Sequence, residues 1–221
     1  MDIKHALRLP QVFASALLLT LGGCGDDSQG ESETGAECRL AIVTDIDETL
    51  TLSNDEWEKQ KEDGTYDPKA RESAVELIQT YADRGYFVLY LTARSQTWVL
   101  GGTGETSTAA TERWLVEHGF PMDPARSRLI LSEKLVPGDA ARLYKAEALA
   151  DLQSEGYSFD YAYGNATTDI GAFADAMIPK AATFIIGVHA GEEGTVAIDG
   201  ESWSEHVAAH LPTVTMACGS K

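Results

Sequence analysis

The chain has 221 residues, 43% hydrophobic and 24% charged, a composition that argues against disorder throughout and suits one α/β domain with a sizeable core. Its formal net charge of −18 argues against sequence-independent nucleic-acid binding, which needs clustered Lys and Arg. The same charge requires that any phosphorylated substrate be neutralised locally, by a metal ion and a few placed cations.

The first stretch reads as a targeting signal. Lys4 and Arg8 make its start positive, and Val12 to Leu21 is apolar except for Ser15 and Thr20. The run is too short to span a bilayer comfortably, so residues 1–23 fit a signal peptide better than a transmembrane helix. Leu21-Gly22-Gly23-Cys24 resembles the lipobox of bacterial lipoproteins. That resemblance implies lipidation of Cys24 and a lipid-anchored location in a bacterial cell envelope; a plain signal peptide is the alternative. Gly25 to Ala36 lacks any large apolar residue, so residues 24–37 are expected to be a flexible tether. Removal of residues 1–23 takes away a net +1 and leaves a formal charge of −19. Cys38 and Cys218 then either pair as a disulfide in an oxidising compartment or remain two free thiols.

From Cys38 to Lys221 apolar runs alternate with helical patterns. Leu40–Thr44 reads as a buried strand, and 70–84 as a helix with Ala74, Leu77, Ile78 and Tyr81 on one side, stopped by Gly85. A strand over 86–91 follows, then a helix over 107–118 closed by Gly119, and a short strand over 128–131. The spacing predicts a helix over 139–155, a strand over 161–163, a helix over 168–177 and a strand over 183–187. An edge strand over 195–198 and a helix over 203–210 complete the chain. This alternation implies a Rossmann-like parallel sheet with helices on both faces. Ligands in such sheets bind beyond the carboxyl ends of the strands.

Polar residues gather at those ends. Asp45 and Asp47 follow the first strand, and residues two apart on an extended chain share a face. Two neighbouring carboxylates need a cation between them or a retained proton. One could attack phosphorus while the other moves protons. Thr92 and Arg94, after the second strand, could hold phosphate oxygens. Asn165 and Asp169, after the fourth, are hard oxygen donors suited to Mg2+. Lys145 alone would read as a solvated helix lysine.

In this order the motifs resemble the haloacid dehalogenase superfamily of phosphatases, most nearly the lipin-type phosphatidate phosphatase catalytic domain. The resemblance runs from Leu40 to Ile186. It rests on VTDIDETLT, YLTAR, TERWLVEHGFP (residues 111–121), LILS (129–132), YKAEAL around Lys145 and YGNATTDIGAF (163–173). It implies Asp45 as nucleophile and Asp47 as general acid and base. It also implies Thr92 and Lys145 on the transferring phosphate, and Arg94 orienting the substrate. Magnesium would be held by Asp45, the carbonyl of Asp47, and Asn165 or Asp169. Two departures stand out: Glu48 where lipins carry Gly, and Ala166-Thr167 where they carry Arg-Pro. The second puts phosphatidate headgroup recognition in doubt.

Three functions are therefore weighed. The first is a Mg-dependent phosphomonoester hydrolase acting on a phospholipid such as phosphatidate. The second is a secreted acid phosphatase for small soluble esters. The third is a non-catalytic phosphatidate-binding module, which related domains of phosphatidylinositol transfer proteins exemplify. The presence of Asp45, Asp47, Lys145 and Asp169 favours an enzyme. Residues 52–66 read as a solvated insertion that could act as a small cap, with Trp57 as its anchor. Gly101-Gly102-Thr103-Gly104 lacks the Lys-Ser/Thr of a nucleotide loop and is expected to be a mobile loop at the mouth. Trp98 and Trp114 read as packing residues, and His189, His206 and His210 as surface or core histidines.

Overall fold

The structure is a computed structural model that describes residues 39–218. The expected signal peptide, Cys24, the tether and Cys38 lie outside the described residues. In chain order the strands are β1 (Leu40–Thr44), β2 (Phe87–Ser95), β3 (Ser127–Ser132), β4 (Ser158–Gly164), β5 (Thr183–Ile186) and β6 (Val196–Ile198). The helices are α1 (Asn54–Glu62), α2 (Ala74–Asp83), α3 (Ser107–Glu117), α4 (Asp139–Ser154), α5 (Thr167–Asp175) and α6 (Ser204–Ala209). The strands form one sheet in the order β3-β2-β1-β4-β5-β6, and every pairing is parallel. Among the described residues no helix is long and apolar enough to cross a membrane.

Both faces are covered, and alternation along β1 shows how. Ala41 and Val43 pack with Leu149 and Leu152 of α4 and Phe173 of α5. Ile42 packs on the opposite face with Leu77, Ile78 and Tyr81 of α2 and Trp114 of α3. Fully burying such side chains is worth roughly 1.5–3 kcal/mol each, which makes these two stripes the main stabilising contribution. The connection from β1 to β2 covers one face and that from β3 to β4 the other. A crevice therefore opens at the carboxyl end of β1, where the strand order reverses.

Four local features differ from the sequence reading. The helix expected from residue 70 begins at Ala74, because Ser73 is left-handed and Ala70 pairs with Thr51 in an antiparallel bridge. Arg71 there reaches back to the carbonyl oxygens of Glu48, Leu52 and Glu201. Strand β2 runs on to Ser95 by pairing with β3, so Thr92 and Arg94 lie on the strand itself. The insertion at 52–66 is not simply solvated: it holds α1, with Glu56, Trp57 and Gln60 buried. Finally, the glycine loop is braced against α1. The Gly101 N–H donates to the Lys61 carbonyl at 2.9 Å, and the Gly64 N–H donates to the Gly101 carbonyl at 2.8 Å. A Cβ at Gly101 would lie 2.1 Å from the Glu62 carbonyl oxygen, so the close approach requires glycine.

Candidate active site

Asp45 extends β1 by one residue, and its N–H donates to the Tyr163 carbonyl of β4 at 2.9 Å. The chain then curls, with the Ile46 carbonyl accepting the N–H groups of Thr49, Leu50 and Thr51. This turn opens into a cleft of about 280 Å³ that gathers Asp45, Asp47, Thr92, Lys145, Asn165 and Asp169. The two aspartates of the motif thus line one crevice, joined by residues from β2, α4 and the β4–α5 junction.

Lys145 is far from the solvated helix lysine it would be in isolation. It is 4% exposed, and its ammonium donates to Asp45 Oδ1 at 2.5 Å and to Asp169 Oδ1 at 2.6 Å. Burial pulls against its charge, but Asp169 and Asp45 outweigh burial and hold it protonated, above its usual value. Asp45 is under-neutralised by comparison. Burial pushes its carboxyl up to about 7, Lys145 opposes this, and Asp169 and Asp47 add to it.

The free side of Asp45 meets Thr49. The Thr49 hydroxyl lies 3.2 Å from Asp45 Oδ2 and 3.2 Å from Asn165 Oδ1. A hydroxyl has one proton, so it can satisfy only one of these two oxygens at a time. Among the described residues no group of three His, Cys, Asp or Glu is arranged to hold a metal. The oxygens that could hold a cation are mixed: the Asp45 carboxylate and the Asn165 amide oxygen meet at one Thr49 hydroxyl, and Asp47, whose carbonyl the resemblance adds, lines the same cleft. These are hard oxygens around a buried carboxylate in need of positive charge, which fits magnesium. Asp169, expected as a ligand in place of Asn165 or beside it, is engaged by protein groups on both oxygens. Its Oδ1 takes the Lys145 ammonium, and its Oδ2 accepts the N–H groups of Asn165 and Ala166 at 3.1 and 3.0 Å. Asp169 therefore seats Lys145 and caps the start of α5.

Arg94 also differs from expectation. It lines the cleft but is only 4% exposed and grips Asp47, with Nη2 2.7 Å from Oδ1 and Nε 3.0 Å from Oδ2. Its Nη1 donates to Thr111 Oγ1 at 2.9 Å, and its guanidinium lies 4.2 Å from the Trp57 ring centre. Thr92 lies beside it, its hydroxyl 3.3 Å from Asp47 Oδ2.

Glu48 occupies the left-handed region at φ 59°. This accounts for Gly in the lipin pattern at that place, since a side chain there is strained. Here the turn is tied down: the Glu48 N–H donates to Thr51, its carbonyl accepts Arg71, and its carboxylate accepts the Asn165 amide at 3.2 Å. Of the tryptophans, Trp114 is buried with its indole N–H on the Pro68 carbonyl, whereas Trp98 is 44% exposed at the cleft mouth. His189 pairs with Glu192 at the surface, while His206 and His210 stack behind the site against Tyr163 and Tyr81. Sequence reasoning missed Thr49, Thr111 and Arg71. Thr49 and Thr111 carried a signal, the first lying four residues after Asp45 in its motif and the second opening TERWLVEHGFP.

A family model described as the PITM 1-3, LNS2 domain matches residues 42–187. Membrane-associated phosphatidylinositol transfer protein 3 of mouse and of human is 30% identical over 146 residues, covering 66% of this chain and 13% of each relative. Protein retinal degeneration B of Drosophila melanogaster is 25% identical over 194 residues, covering 85% of this chain and 14% of its own length. The chain thus spans about one seventh or less of the curated relatives it matches. Among solved structures it is similar to a class C acid phosphatase from Bacillus anthracis with tungstate bound, at 17% identity and TM-score 0.41, covering 61% of this chain and 55% of that one. It is also similar to a phospho-aspartyl intermediate analogue of phosphoserine phosphatase, at 14% identity and TM-score 0.47, covering 77% and 98%. At these scores neither structural likeness bears on what the chain does. The match to residues 42–187 takes in both aspartates, Lys145 and the whole β4–α5 junction, and by it the chain belongs to the PITM 1-3 LNS2 domain family.

Proposed function

We propose that the chain is a Mg-dependent phosphomonoester hydrolase that works through an aspartyl-phosphate on Asp45. The observation that carries this reading is the buried Lys145 ammonium held between Asp45 and Asp169. It is a fixed positive charge beside a carboxylate that lines the cleft and whose second oxygen has only the Thr49 hydroxyl as a hydrogen-bond partner among the described residues. In the first half-reaction Asp45 forms a bond to phosphorus, the ester P–O bond breaks, and the Asp47 carboxyl gives its proton to the leaving oxygen. In the second, Asp47 takes a proton from water, the water oxygen bonds to phosphorus, and the Asp45–phosphorus bond breaks to release orthophosphate. Lys145 stabilises the phosphoryl oxygens throughout, and the Thr92 hydroxyl, which rests on Asp47, can serve them only by turning away from it. Magnesium bound by Asp45, Asn165 and the Asp47 carbonyl would supply further positive charge at the phosphoryl group.

The test is orthophosphate release from 4-nitrophenyl phosphate by wild type and Asp45→Asn, with and without magnesium. Release that needs both Asp45 and the metal is expected. Its absence for every ester tried defeats the hydrolase reading. A preference for phosphatidate in detergent micelles would assign a phospholipid substrate, and a preference for sugar or nucleotide phosphates a soluble one.

A second reading has one specific observation in its favour: two of the curated relatives, those of mouse and human, are named as a phosphatidylinositol transfer protein. On that reading the domain binds phosphatidate without hydrolysing it. Retention of phosphatidate vesicles with no turnover would establish it. We further propose that residues 1–23 are a signal peptide, that Cys24 anchors the domain in a cell envelope through the 24–37 tether, and that Cys38 pairs with Cys218. The lipobox-like Leu21–Cys24 supports the anchor. Intact-mass measurement of the protein isolated from membranes, before and after reduction, tests both modifications.

A further inference from the structure

The Arg94 guanidinium lines the cleft, and most of its hydrogen bonding is to the protein itself. Three of its five N–H groups are engaged, that of Nε and one of Nη2 by Asp47 and one of Nη1 by Thr111, and the side chain is 1% exposed. Thr111 is itself committed, because its own proton goes to the Ser107 carbonyl at 2.7 Å, which leaves its oxygen a pure acceptor for Arg94. Ser107 begins α3, so the first turn of that helix fixes the guanidinium from one side. From another side, Trp57 of α1 covers its face. Asp47, by contrast, has a side chain that is 21% exposed on a turn, and Arg94 and Thr92 are what hold its carboxylate in one place.

We propose that Arg94 is a positioning residue for Asp47 rather than a phosphate ligand, and that Thr111 of α3 and Trp57 of α1 set its position. This deepens, and rests on, the hydrolase reading above. A planar guanidinium gripping both carboxylate oxygens defines the direction of Asp47 in a way a lysine could not. Its contribution lies in alignment completed before the substrate arrives. Through the Trp57 stack, proper seating of α1 over the cleft becomes a condition for accurate proton delivery.

The readout that isolates this role is the leaving group. 4-Nitrophenolate departs readily without a proton, whereas the alkoxide of glycerol phosphate needs one. Using the full chain with magnesium, Arg94→Gln should lose about 10-fold or less in kcat on the aryl ester. It should lose on the order of 100-fold or more on the alkyl ester, the range ascribed to proton transfer by a side chain. Asp47→Asn should show the same selectivity, and the double variant should be no worse than Asp47→Asn alone. Thr111→Val and Trp57→Leu, which leave Arg94 in place, should shift the alkyl-to-aryl ratio the same way by a smaller factor. They decide the matter if Arg94→Gln does not fold. Competitive inhibition by orthophosphate should be unchanged. Equal losses on both esters, additivity with Asp47→Asn, or weakened orthophosphate inhibition would each overturn the positioning role, the last by making Arg94 a phosphate ligand. Wild type without Asp45-dependent turnover would instead overturn the hydrolase reading, and this inference with it.

Discussion

Glu48 sits in a backbone conformation that a non-glycine residue tolerates at a cost, and it does so on the rim of an acidic cleft. Glu48→Gly should remove that strain and raise stability by about 0.5–1 kcal/mol, less whatever the bond from Asn165 contributes. Thermal denaturation of the two proteins side by side measures it; a lower Tm for the variant would show that the ties to Thr51 and Asn165 outweigh the strain. Asp45 carries a different burden. Its folded carboxyl is raised to about 7 by burial, from 3.8. The stability it contributes when protonated is present below that lower value and is lost as pH rises through the upper one. In EDTA, Asp45→Asn should therefore gain on wild type in urea denaturation as pH goes from 4 to 8, and magnesium should close the gap by stabilising wild type alone. Both aspartates, Thr92 and Asn165 were legible in the sequence because each follows or ends a strand that periodicity reveals, whereas Lys145, in the middle of α4, was legible only through the family resemblance. The orientations of Arg94 and Asp169 were not. A guanidinium at the end of β2 can reach into the cleft or turn along its wall to Asp47, and the choice depends on Thr111 and Trp57, which join it only through tertiary folding.

At the level of elements, the strands and the helices that cover them were readable from apolar spacing, since their buried residues recur at periods of 2 and 3.6. Helix α1 escaped because its buried side chains are Glu56, Trp57 and Gln60, two of them polar. Its burial is stabilised by specific bonds, with the Glu56 carboxylate accepting the Tyr66 hydroxyl at 2.7 Å and the Lys69 N–H at 2.8 Å. The brace from Gly101 does the rest. Gly101→Ala would drive a methyl group into the Glu62 carbonyl and should cost roughly 1–3 kcal/mol, as overpacking of a closed contact does. It should also expose α1 to proteolysis ahead of the sheet. Limited digestion with sequencing of the first cut would check this: an initial cut elsewhere at unchanged stability would mean that the loop does not hold the helix.

Across the whole molecule, the site is backed by a buried polar stack. The Tyr81 and Tyr163 hydroxyls lie 2.6 Å apart, and each meets a histidine ring, His210 and His206 respectively, at 3.2 Å. Burial, and His210 beside it, lower His206 from 6.5 to about 4. The neutral ring is favoured in the folded state, so its contribution is complete above the upper value and is lost as pH falls from there towards 4. That loss amounts to roughly 2–3 kcal/mol by the linkage of proton affinity to folding. Because Asp45 acts in the opposite sense over the same range, the measurement to make is the difference between wild type and His206→Gln. Wild type should lose ground to the variant between pH 6.5 and 4 in urea titrations, and a constant difference would refute the assignment.

The strand order carries one more consequence. Asp45 meets a lysine 100 positions further along, and β1 gains its second neighbour only when β4 arrives. A growing chain that has produced β1, β2 and β3 therefore holds the middle of its future sheet as a bare edge, with backbone groups ready to recruit another molecule. The arrival of β4 seals that edge and brings Asn165 to Asp45 in the same event. Assembly of the cleft and covering of the β1 edge are thus one event, and the open edge then passes to β4 until β5 pairs with it.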